Sequence, residues 1–139
     1  MSFLEKLFGK TNKGLRGNST IVVGSNARET AKELRAQRVP NVQEWVNLQP
    51  SNLTQQGGKV KVLTLCFAHE IPIGVINYQG WYSKVLMDAN LGYTGNNPEI
   101  KTNWSSDKKG LILLHWDEVD METLRSTVQT LYTSINKWS

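Results

Sequence analysis

The side chains of this 139-residue chain equipped to act as nucleophile, base or acid are Cys66, His69 and His115, with Glu70, Asp117, Glu118 and Asp120 around them. A thiol becomes an effective nucleophile beside a base that takes its proton. Cys66 and His69 stand three apart in a run of strand character, so they project from opposite faces and do not form that pair. His115 lies in another run and would approach Cys66 only across strands; a buried cysteine beside a satisfied core histidine is the favoured reading. The acids gather near strand ends, where acid–base work would need desolvation; they read as solvated loop charges and, for Asp120, as a helix cap. One cysteine and two histidines do not make a Cys/His-rich structural zinc site. The sequence thus predicts no catalytic residues, no metal site and no cofactor.

An anion site is the remaining chemistry. The β-branched run Thr20 to Val23 is followed by the turn Gly24-Ser25-Asn26 and then by a helix with Arg28, Lys32 and Arg35 in a basic stripe. Free N–H groups at a helix N-terminus can hold a phosphate. No GK[ST], GxGxxG or repeated βα unit accompanies this turn, so Arg28, Lys32 and Arg35 stand as candidate anion-binding residues without a nucleotide motif.

The elements that position these residues follow from the hydrophobic period. Asn26 is placed as an N-cap with Glu29 as its partial capping box, and Ala27, Thr30, Ala31 and Leu34 recur at helical spacing until Pro40. Val42, Val46 and Leu48 alternate with Gln43, Trp45 and Asn47, which predicts a strand and a candidate sheet edge. Lys59 to His69 is apolar on both faces and predicts a central strand. Glu70-Ile71-Pro72 is short enough to turn the chain into Ile73 to Tyr78 as an antiparallel hairpin. Trp81, Tyr82, Val85, Leu86 and Ala89 predict a helix closing on Gly92. Ile100 to Trp104 and Gly110 to Trp116 form a second hairpin, and Met121 to Trp138 carries the strongest helical period, capped by Asp120.

The composition, 39% hydrophobic, 20% charged and 9% aromatic, is that of one globular domain. The net charge of +4 is concentrated at the front: residues 1 to 38 carry eight basic side chains against three acidic ones, and the remainder sums to −1. Residues 1–18, with Phe3, Leu4, Leu7 and Phe8 among the basic residues and then Gly9, Gly14 and Gly17, read as a flexible basic N-terminal arm, and 19–139 as a single α+β domain. No apolar run reaches the length that spans a membrane, the opening residues lack a secretory signal pattern, and one cysteine makes no internal disulfide; cytoplasm is the expected compartment.

The runs VKVLTLCFAHEIPIGVINY and EIKTNWSSDKKGLILLHW, the helix GWYSKVLMDANLG and the terminal helix DMETLRSTVQTLYTSINKW follow the order helix, three strands, helix, two strands, helix. Over about residues 26 to 138 this order resembles the type III secretion chaperone-like fold, which includes the YbjN family. The chain is also similar to the carboxysome assembly chaperones of cyanobacteria, small adaptors for the tail of a shell protein. The resemblance implies an α+β fold with a mostly antiparallel five-stranded sheet. It also implies a small, often dimeric, non-catalytic chaperone that holds a terminal or extended segment of a partner protein. Five tryptophans and four tyrosines supply the contact area such a surface needs, and Trp45, Trp104, Val46, Trp81 and Tyr82 are the candidate partner-binding residues. The alternative is a module that binds nucleic acid or an anionic membrane through the basic arm; a nucleic-acid contact of that kind would weaken steeply with salt.

Overall fold

A computed structural model describes residues 19–44, 59–91 and 98–139, with backbone alone for 59–61. The strands are β1 (Ser19–Val23), β2 (Val42–Glu44), β3 (Lys59–Glu70), β4 (Glu99–Trp104) and β5 (Lys109–Asp120). The helices among the described residues are α1 (Ala27–Ala36), α2 (Tyr78–Ala89) and α3 (Met121–Lys137). The strands form one sheet in the order β2-β1-β3-β5-β4. β1 pairs in parallel with both β2 and β3, whereas β3–β5 and β4–β5 are antiparallel.

The fold is α+β, but the sheet is mixed and not mostly antiparallel, and the element order is strand, helix, two strands, helix, two strands, helix. Two local facts produce the difference. The run Thr20 to Val23 enters the sheet beside β3, and α1 carries the chain over to β2; a strand returning through a crossover helix pairs in parallel. The expected strand at Ile73 to Tyr78 does not form: Val75 N donates to Pro72 O at 3.1 Å to close a turn, and Asn77 caps α2, its side chain accepting from Gly80 N at 3.0 Å. Pro72 lacks a ladder donor and Asn77 offers a cap, so Ile73, Val75 and Ile76 between them lie in a loop.

The sheet separates two cores. Ile21 and Val23 of β1, Leu63, Leu65 and Phe67 of β3 and Ile112, Leu114 and Trp116 of β5 pack under α2 and α3. On the other face Val22, Cys66, Ala68, Leu111 and Leu113 meet Ala27, Ala31 and Leu34 of α1. This is the division expected of strands that are apolar on both sides, and β3 and β5 are buried accordingly.

The helix ends follow their capping chemistry unevenly. Asp120 accepts from Thr123 N at 2.6 Å and from Thr123 Oγ1 at 3.0 Å, as a cap should. An Asp120→Ala variant is expected to lose about 1 kcal/mol of stability, read as a lower urea midpoint; an unchanged midpoint would show that the cap contributes nothing. Asn26 stands at the start of α1 with no side-chain cap bond, so the expected capping box is absent. α2 ends at Asn90, which takes the left-handed conformation at φ 56° that the sequence assigned to Gly92. Gly92, the expected arm at residues 1–18 and the polar loop at 50–58 lie outside the described residues.

Candidate functional site

The loop joining β3 to α2 is pinned at several points. Ile71 is buried and its N–H donates to Lys108 O at 2.7 Å, while the Lys108 ammonium donates to Ile73 O. On this fixed backbone Ile73 is 88% and Ile76 95% exposed. Burying an isoleucine side chain is worth about 1.5–3 kcal/mol, so two isoleucines held in water on a braced loop leave that gain to a partner surface. Two residues beyond Ile76, half-buried Tyr78 sets its ring against Trp104 of β4 at 5.6 Å, edge to face. Trp104 in turn stacks on Tyr82 at 5.7 Å and is partly open to solvent. Ile73 and Ile76 thus stand exposed on the loop that leads into the Tyr78–Trp104 ring contact, and these four residues are the candidate patch at the start of α2.

A buried polar network underlies the patch. His69, 3% exposed, places Nε2 at 3.0 Å from the Tyr82 hydroxyl and Nδ1 at 3.3 Å from Glu70 O. The Tyr82 hydroxyl also reaches Asn103 O at 3.2 Å, inside the β4–β5 pair. One phenolic proton serves one acceptor, so each neutral tautomer of His69 leaves one of these contacts unmade. A doubly protonated ring would satisfy all of them, yet burial disfavours the cation and holds the His69 pKa down at about 4. Burial likewise pushes the Tyr82 hydroxyl up. Gly110 makes the room: a side-chain carbon there would overlap the Tyr82 hydroxyl and the His69 ring. The network ties α2, β3 and β4 together beneath the aromatic patch.

The other residues with chemical potential are placed apart. Cys66 is fully buried on the α1 face, and burial pushes its thiol well above the ordinary range, which keeps it protonated. His115 lies opposite Thr64 and exchanges a hydrogen bond with its hydroxyl at 3.0 Å, two pairs along from the Cys66–Leu113 neighbours. Arg28, Lys32 and Arg35 are exposed on α1, on the far face of the sheet from the apolar patch. Arg28 pairs with Glu44 at 3.6 Å and Arg35 donates to Val42 O at 3.1 Å, so both guanidinium groups brace α1 against β2. At the turn before α1, Asn26 N donates to Ala68 O, so this first amide is spent on β3.

Of the candidate partner-binding residues, Trp104 lies in the patch. Trp81 and Tyr82, 6% and 2% exposed, lie in the core under α2, with Trp81 Nε1 donating to Trp138 O at 2.8 Å. They support the patch from beneath and do not face solvent. Trp45 and Val46 lie outside the described residues; β2 is an edge of the sheet, described over Val42–Glu44. Sequence reasoning missed Ile73 and Ile76, because the short turn before them suits a hairpin; the signal against it was Pro72, Gly74 and Asn77 within six residues.

The chain matches no family model, no curated protein and no solved structure in comparisons of sequence and fold.

Proposed function

We propose that this protein is a non-catalytic chaperone or adaptor that holds a short or extended segment of a partner protein against the patch formed by Ile73, Ile76, Tyr78 and Trp104. The observation that carries this reading is the near-complete exposure of two isoleucines on a loop whose backbone is hydrogen-bonded in place. Interface anchors are typically apolar or aromatic groups on rigid supports, where little ordering entropy is lost on binding. Trp104 and Tyr78 add aromatic faces with the polar handles that favour peptide recognition. The partner class to which the sequence resemblance points is a carboxysome shell protein presenting its tail.

The test is affinity capture from native lysate with nuclease present, comparing the wild-type chain with an Ile73→Asp/Ile76→Asp variant. The expected result is one dominant retained protein whose tail peptide binds alone, with at least a tenfold loss of peptide affinity in the variant. Because both side chains are in water, the variant's thermal midpoint should stay within a few degrees. Equal peptide binding by the variant would remove the patch from the account. Loss of all retention on nuclease treatment would favour a nucleic-acid module instead.

A further inference from the structure

We propose that the cavity between the end of α2 and the first half of α3 binds a small alkylamine, its ammonium group held by the Glu122 carboxylate. Unequal helix lengths open this cavity. α2 and α3 run antiparallel: Trp81 Nε1 donates to Trp138 O, Ser134 Oγ to Val85 O at 2.6 Å, and the Lys137 ammonium to Asp88 at 2.7 Å. α2 has 12 residues and α3 has 17, so α2 stops while the opening turns of α3 continue beyond it. There Glu122, Ser126, Thr127 and Thr130 share one stripe of α3. With Asn90 and Leu91 from the end of α2 they line a cavity of about 260 Å³. That is the volume of about eight or nine waters, room for a short alkyl chain with a polar head. The larger apolar side chains of α3, Leu124, Val128 and Leu131, are turned into the core and leave this stripe to hydroxyl groups.

The polar groups decide the charge of the ligand. Thr123, also in the lining, donates its hydroxyl proton to Asp120 at 3.0 Å, and Thr127 Oγ1 donates to Thr123 O at 2.7 Å. Both protons are spent, so these two oxygens are left as acceptors. Asn90 ends α2 and gives its N–H to Leu86 O; the carbonyls after Leu86 are those that a helix leaves without an intrahelical donor, and they carry the negative end of its dipole. Glu122 is the charged residue of the lining and makes no ion pair among the described residues. An anion finds no counterpart here, because the N-terminus of α3 is already met by Asp120, which accepts from Thr123 N at 2.6 Å. One carboxylate, a helix C-terminus and several oxygen acceptors match a group with three N–H donors and a positive charge. Leu91 and the threonine methyl groups are apolar neighbours for its stem. The 12 residues of α2 span about 18 Å, which separates this site from Tyr78, so it does not rest on the function proposed above.

Amide chemical shifts of the isotopically labelled full-length chain, titrated with putrescine, test this. The expected result is saturable change at Ala89–Leu91 and Glu122–Thr130, with a dissociation constant at or below about 1 mM. The uncharged diol of the same chain length and the dianion succinate are expected to produce none. Glu122→Gln keeps the shape of the side chain and removes its charge; it is expected to raise the putrescine dissociation constant roughly fivefold or more, through loss of one charge-assisted hydrogen bond. Should that substitution disturb α3, Thr130→Leu, which sets a larger side chain in the lining, is expected to abolish the saturable change. No saturable change with putrescine, equal changes with the diol, or unaltered binding in both variants would each overturn the proposal.

Discussion

Replacing Gly24 by alanine is expected to destabilise the protein by about 3–5 kcal/mol, because two separate penalties meet at that position. Gly24 sits at φ 108°, a conformation that side chains resist. A carbon added there would also fall far inside van der Waals contact with Ala68 O, which already accepts from Asn26 N at 3.1 Å. Relief would require the β1–α1 turn to move off β3, breaking that bond and the 3.2 Å bond from Glu70 N to Ser25 Oγ. Against a total stability of about 5–15 kcal/mol, the loss corresponds to a fall in Tm of roughly 10–20 °C. Thermal unfolding followed by circular dichroism reads it directly. A shift of only a few degrees would mean that the turn is not held as closely to β3 as described.

Acidification is expected to remove about 3 kcal/mol of stability between pH 7 and pH 4 through His69 alone. The folded protein keeps this ring neutral down to about pH 4, whereas in the unfolded chain it titrates near its ordinary value of 6.5. Between those values the unfolded state binds more protons, so stability rises with pH. The contribution is therefore complete above about pH 6.5 and is lost progressively as pH falls towards 4. Urea unfolding across this range should show the decline, and a His69→Gln variant should be less stable at pH 7 but flatter towards pH 4. A wild-type midpoint that is the same at pH 7 and pH 4, or a variant with the wild-type slope, would contradict the buried network of His69, Tyr82 and Asn103.

The sequence made legible whatever depends on local period. α3 is capped by Asp120 as its sequence indicates, β3 and β5 are apolar on both faces because each lies between helices or strands, and the β4–β5 hairpin forms where turn residues interrupt two alternating runs. Even the burial of Trp81 and Tyr82 follows from the helical stripe they share with Val85 and Ala89. Which strands become neighbours is not a local property. The β-branched character of Thr20 to Val23 was visible, but its parallel insertion between β2 and β3 depends on α1 crossing the sheet. The run Ile73 to Tyr78 follows a turn short enough for a hairpin, and only the absence of a free edge beside β3 excludes it from the sheet: β1 and β5 already occupy both sides. The exposed patch thus arises from a pairing decision made by distant residues.

The most direct test of the adaptor reading is a map of backbone amide shifts on adding the captured partner's tail peptide to the isotopically labelled chain. The account predicts changes concentrated at residues 71–78 and 103–109, around Ile73, Ile76, Tyr78 and Trp104. Changes centred instead on Arg28, Lys32 and Arg35 of α1, with the loop from Ile71 to Asn77 silent, would contradict it.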